Sequence, residues 1–215
     1  MTTRARRERE KRERRRSILQ AARELFFENG FHHATVDSVA ERAEVSKGTV
    51  YLYFVSKETL LAHLLLEGLE ALVAELASAC AEAAALTADQ QLRHLARAYF
   101  DFFDRDPQYF PFLMAMDRGK FQESVPAELY EEILQSSLEG LTLAVGVVRR
   151  GVDDGVFACP DPEKAACMFW AALNGVLQLM EHPLRREMVG VDKKALYESS
   201  VDTLIKGLEG PHADG

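Results

Sequence analysis

The side chains of this 215-residue chain with catalytic or metal-binding potential are six histidines, three cysteines and a scatter of serines and carboxylates. Adjacent His32 and His33 do not easily chelate one ion. His63, His94, His182 and His212 stand apart, with no H-x-x-x-H spacing and no cysteine pairing. Cys80, Cys159 and Cys167 are odd in number and widely spaced, which argues for small buried side chains in a reducing cytoplasm and against a disulfide framework. Ser199-Ser200 and the Asp/Glu pairs read as helix surface, and nothing resembles a P-loop or a G-x-S-x-G elbow. The expectation is no enzyme, no metal and no cofactor.

A different chemistry is written in EVSKGTVYLYF, Glu44 to Phe54. As an isolated helix it is poor, because Gly48 costs about 1 kcal/mol against alanine and Thr49 and Val50 are middling formers. As a surface it offers Lys47, Gly48, Thr49, Tyr51 and Leu52: a cation, a hydroxyl, an aromatic and bare backbone. Such groups meet phosphates and base edges.

Short helices must position that surface. Ile18, Leu19, Ala22, Leu25 and Phe26 recur at helical spacing over Ser17 to Glu28, with Asn29-Gly30 as the stop. Thr35 caps a helix over Val36 to Ala43, Ser46 caps the next, and only Glu44 and Val45 separate them, as in a helix-turn-helix. Ser56 caps a long helix bearing Leu60, Leu61, Leu64, Leu65, Leu69, Leu72 and Val73. Further helices follow, with Thr87 as a cap and prolines at 107, 126 and 162 where helices begin. RRGVDDGVFACPDP and HPLRREMVGVD read as loops, a last helix runs from about Asp192 to Leu208, and the tail 209–215 reads as disordered. No segment alternates with period two, so the fold class is all-α. The long helix after Ser56 must contain or adjoin the boundary between parts: arm 1–16, helix-turn-helix domain 17–63, larger helical domain 64–208.

Charge is unevenly distributed. The formal net charge is −8, yet Met1 to Arg16 holds nine Arg/Lys against three Glu. A basic arm on an acidic body attracts phosphate locally. The arm has no apolar face, is expected to fray when free, and favours DNA contact by part of Arg9 to Arg16, with Arg15 and Arg16 nearest the domain. It lacks a secretory h-region, and no apolar run is long enough for a membrane span. A cytoplasmic protein is expected.

Thr35 to Leu60, TVDSVAERAEVSKGTVYLYFVSKETL, resembles the DNA-binding signature of the TetR family of bacterial transcriptional regulators. The match includes NGF at the end of the first helix, T-V-x-x-V-A, V-S-K-G-T-V-Y-x-Y-F and S-K-E-x-L. The resemblance implies that Ser46 to Phe54 is a recognition helix in the major groove, with Gly48 admitting close approach. It implies that Lys47, Gly48, Thr49 and Tyr51 face bases or phosphates, and that Thr35, Tyr53 and Lys57 hold the backbone, while Phe54 is core. One residue departs from the pattern: Glu44 stands where the family has glycine, at roughly 1 kcal/mol or more if its φ is positive.

The resemblance also implies a small, mostly apolar effector in the larger domain and a homodimer on a palindromic duplex. Residues alone favour a bundle core for the aromatic run Tyr99 to Phe121; the resemblance nominates Tyr99, Phe103, Phe112, Met116, Phe121, Tyr130, Trp170 and Asn174 as pocket walls. Asp117, Arg118, Glu131 or Gln178 would fix a polar end. Phe169, Ala172, Leu173, Val176 and Leu204 are the expected dimer contacts. Repression is the implied mode. A TetR-like activator, or a helical small-molecule-binding protein with weak DNA affinity, remains open.

Overall fold

The computed structural model describes residues 3–115 and 121–209. Among them there is no strand, and eleven helices follow in order. These are α1 (Thr3–Asn29), α2 (Val36–Arg42), α3 (Lys47–Tyr53), α4 (Lys57–Glu82), α5 (Ala88–Arg105), α6 (Tyr109–Ala115), α7 (Phe121–Ser124), α8 (Ala127–Asp153), α9 (Pro162–Glu181), α10 (Pro183–Val189) and α11 (Lys193–Glu209). The expected all-α class is what the chain adopts.

The caps expected at Ser46 and Ser56 are made by side chains, whereas at Thr87 it is the backbone amide that is bonded, to Gln90 Oε1 at 3.4 Å. The Ser46 and Ser56 hydroxyls accept from the amides of Thr49 and Thr59, each at 3.1 Å. The Asp161 carboxylate accepts from the Lys164 amide at 2.9 Å. Each satisfies an amide that the helix itself leaves open.

Three segments differ from the sequence expectation. The arm is helical from Thr3, continuous with α1, and supported by Arg6–Glu10 and Arg9–Glu13 pairs at 2.7 and 3.7 Å. Extending an existing helix avoids the nucleation step that penalises a free one. Residues 149–153, expected in a loop, continue α8, where Gly151 lies against the Phe157 ring. HPLRREMVGVD, also expected as a loop, contains α10, with Pro183 at its first turn and Gly190 (φ 64°) at its left-handed end. The predicted disordered tail beyond Glu209 lies outside the described residues.

The chain divides into two compact units, residues 1–70 with 106–136 and residues 71–105 with 137–215. The division falls inside α4, and α6, α7 and the start of α8 group with the N-terminal helices. The first unit's core joins Ile18, Leu25 and Phe26 of α1 to Val39, Val50, Phe54 and Leu60 to Leu65, and includes Phe112, Phe121 and Ile133. In the second unit α9 packs against α10 and α11, and α11 against α5. Arg150 of α8 donates to the carbonyls of Ala84 and Leu86, satisfying the turn after α4.

Candidate nucleic-acid interface

The Thr35 hydroxyl accepts from the Ser38 amide at 3.1 Å, and Ser38 Oγ lies 3.0 Å from the Thr35 amide, a reciprocal capping box that starts α2. Arg42 then clamps α2 to α1 through Glu24 at 3.3 Å and Glu28 at 2.9 Å. Its hydrogen bond to Glu28 raises the guanidinium pKa and lowers that of the carboxyl. Both pairs are exposed, so they orient more than they stabilise.

The turn to α3 is a Schellman motif. The Glu44 amide donates to the Glu41 carbonyl at 3.1 Å and the Val45 amide to the Ala40 carbonyl at 2.9 Å. This geometry needs a left-handed residue, and Glu44 supplies it with φ 54°. Among the described residues it is the one non-glycine with positive φ. The departure noticed in the sequence is therefore a real backbone demand met by an unfavourable residue.

α3 is anchored by Val50 (1% exposed) and ended by Phe54 (1% exposed), whose amide donates to the Val50 carbonyl. With those two inward, Lys47, Gly48, Tyr51 and Leu52 are outward. Leu52 is 82% exposed and so free to meet an apolar partner. A thymine methyl is one such apolar partner. Thr49 and Tyr53 are half-buried, and the Tyr53 ring packs on the core edge. At Gly48 an added Cβ would meet only Ser46 Oγ, at 3.8 Å, so the fold itself has no need of glycine there.

Other expected contacts are engaged within the chain. Lys57 Nζ donates to the carbonyls of Phe31 at 2.8 Å and Ala34 at 3.0 Å, over the Phe31 ring, which leaves one of its three donors. The guanidinium of Arg15, one of the expected DNA contacts, lies 5.2 Å over the Phe54 ring and 3.2 Å from the His63 imidazole. Burial, then the Arg15 charge, pull the His63 pKa down to about 4. Arg16 is exposed. The Ser46 hydroxyl is occupied by Thr49, and the Thr35 hydroxyl by Ser38.

Sequence reasoning missed Asp37. Its carboxylate lies 2.8 Å from Lys47 Nζ, and that hydrogen bond raises the lysine pKa. A carboxylate ten residues upstream gives no local signal; only the packing of α3 against α2 brings the two together.

The expected effector walls fall in different units. Phe112 and Phe121 are buried in the first unit's core with Tyr130 at its edge, and Met116, Asp117 and Arg118 lie outside the described residues. In the second unit the Tyr99 hydroxyl donates to Asn174 Oδ1 at 2.7 Å, Asn174 Nδ2 donates to the Trp170 carbonyl at 3.2 Å, and Phe103 stacks edge-on to Tyr99. Burial raises the Tyr99 pKa despite these bonds. A cleft of about 450 Å³ opens instead between α5 and α11, beside Arg93, Arg97, Phe100, Lys194 and Tyr197, and includes none of the nominated walls.

Of the expected dimer contacts, Phe169 and Leu173 are corrected: each is 4% exposed within the single chain. The apolar stripe of α9 serves its own unit, leaving Met168, Trp170, Ala171 and Gly175 outside. Ala172, Val176 and Leu204 are half-buried.

Comparison with known proteins bears on both units. Residues 18–64 match the family model for bacterial regulatory proteins of the tetR family, and residues 92–204 that for the tetracyclin repressor-like C-terminal domain. The chain is 38% identical over 107 residues to the HTH-type transcriptional activator FasR of Mycolicibacterium smegmatis, covering 49% of this chain and 47% of that one. The match thus spans about half the length of that relative. Identity to the fatty acid metabolism regulator protein of Bacillus subtilis is 28% over 138 residues, covering 64% and 68% of the two chains. The fold is shared with the transcriptional regulator FadR from Bacillus subtilis in complex with stearoyl-CoA, at TM-score 0.69 and 24% identity, over 89% of this chain and 98% of that one. No helix of the described residues is long and apolar enough to cross a membrane.

Proposed function

Because the chain belongs to the TetR family of bacterial transcriptional regulators, we propose that it acts as a ligand-responsive regulator, binding a palindromic duplex as a homodimer. The observation that carries this reading is the outward face of α3. There Gly48 is exposed although the fold gains nothing from a glycine, with Leu52 solvated beside it. A nearby duplex would account for both. α3 would lie in the major groove with Lys47, Thr49 and Tyr51 at bases and phosphates, and Thr35, Ser46, Tyr53 and Lys57 would lie toward the backbone. Two-fold symmetry would set the two copies of α3 about 34–36 Å apart.

The effector proposed is a long-chain acyl compound. Its support is the likeness to the fatty acid metabolism regulator and to FadR bound to stearoyl-CoA. Tyr99, Phe103 and Asn174, which meet within one unit, are the walls retained. Subunit pairing would use the outer face of α9, where Ala171 and Gly175 permit close approach. Repression by occupancy, relieved by the effector, is the mode proposed. The likeness to FasR, an activator by name, favours activation as the second reading.

Selection of bound duplex from a random pool, repeated with an acyl-CoA series, tests the proposal. A palindrome released by one chain-length class supports it; no enrichment even at low salt would overturn it. A reporter carrying the selected site separates the two modes, since deleting the gene raises expression for a repressor and lowers it for an activator.

A further inference from the structure

α1 is helical from Thr3, yet its first buried residue is Ile18, so its N-terminal half stands in solvent. Its charges are sorted around the helix. At 100° per residue, Arg4, Arg7, Lys11 and Arg14 fall within an arc of roughly 80°. Ile18, Ala22 and Leu25, on the buried face of the same helix, fall in that arc too. Glu10 and Glu13 lie outside it and pair with Arg6 and Arg9, which are also outside. Glu8 flanks the arc, and Arg16 is opposite. Among the described residues no carboxylate pairs with the four stripe cations.

Lining up like charges at i,i+3 and i,i+4 disfavours a free helix by a few tenths of a kcal/mol per pair, so the stripe calls for an anionic partner. Its direction is fixed by Arg15, on one flank, which packs on Phe54 at the end of α3 and on His63 of α4. The stripe therefore leads away from the α3 end of the domain, on the side to which α1 turns its core face. We infer that Arg4, Arg7, Lys11 and Arg14 form a rail for the phosphates of the duplex that α3 reads, engaged as a preformed helix rather than as a disordered arm. The inference rests on the DNA-binding reading and adds a direction to it. At 1.5 Å per residue the four cations span about 15 Å, along a duplex that presents one charge per ~1.7 Å. Contacts of this kind carry no base information, so the rail strengthens binding to every duplex alike.

Two charge-matched variants of the full chain test it: R7Q/K11Q/R14Q on the stripe, and R6Q/R9Q/R12Q off it. Glutamine keeps helix propensity close to that of the residues replaced, which circular dichroism checks. Affinity for the selected duplex and for a scrambled one is measured by fluorescence anisotropy across a salt series. The stripe variant is expected to lose at least about tenfold on both duplexes and to lower the salt slope by about 2–3, while the off-stripe variant stays within about 1 of wild type. Equal effects from the two variants, or an unchanged slope in the stripe variant, would overturn the rail while leaving α3 readout intact. Failure of the wild-type chain to bind any duplex would overturn the regulator reading and the rail with it.

Discussion

The ring of Tyr109 is seated on the backbone of Gly68: a Cβ placed on Gly68 would lie 2.5 Å from Tyr109 Cδ1 and 2.7 Å from Cε1. Edge-on contacts with Phe27 and Phe112 hold the ring there, joining α6 to α1 and α4 within the first unit. Gly68→Ala gains up to about 1 kcal/mol of helix propensity but forces the ring out of a packed cluster, at about 1–3 kcal/mol. A net loss of stability is expected in urea denaturation. A more stable Gly68→Ala would show that the ring is not confined.

Glu44 occupies the left-handed position of the Schellman turn at φ 54°. Glu44→Gly should raise unfolding free energy by about 1 kcal/mol, and Glu44→Asn by less. Glu44→Ala, which keeps the strain, should give no gain. An equal gain from alanine and glycine would locate the effect in the lost charge rather than in the backbone.

Lys47 is held by Asp37 at 2.8 Å on the face assigned to DNA. Asp37→Asn removes a competitor for the ammonium and a carboxylate near the phosphates. The variant should bind all duplexes a few-fold more tightly at low salt, with the gain shrinking as salt rises. Anisotropy titrations at two salt concentrations check this, and weaker binding by Asp37→Asn would contradict it.

His63 has its pKa depressed to about 4, first by burial and then by Arg15. The folded chain thus binds fewer protons than the unfolded one between about pH 6.5 and 4. The associated stability is full above pH 6.5 and is lost as pH falls toward 4. Its size is about 1–2 kcal/mol once partial exposure is allowed for. Melting temperature should drop across that window, and the drop should be smaller in His63→Gln. An identical pH profile in the variant would assign the loss to other groups.

Local signals in the sequence carried much of this structure. Thr35, Ser46 and Ser56 cap as read because a cap needs only the next three residues. The demand on Glu44 was visible because the family resemblance puts a glycine at that position. Where partners are distant the sequence was silent: Arg15 meets His63 across 48 positions, and Lys57 meets the Phe31 carbonyl across 26. Phe169 and Leu173 show a different limit. Periodicity identifies the apolar stripe of a helix but not whether its own chain or a partner covers it. α10 carried the Pro183 and Gly190 signals, yet no residue of it is buried, so no apolar pattern marked it as a helix.

The central claim is that α3 meets a duplex at Gly48, and Gly48→Leu tests it most directly. Within the chain an added Cβ meets only Ser46 Oγ at 3.8 Å, and leucine is the better helix former, so the variant should fold with equal or higher melting temperature. Its affinity for the duplex selected by the wild-type chain should fall at least about tenfold, because the side chain fills the space the groove must occupy. A folded Gly48→Leu variant that binds that duplex as tightly as wild type would contradict the account.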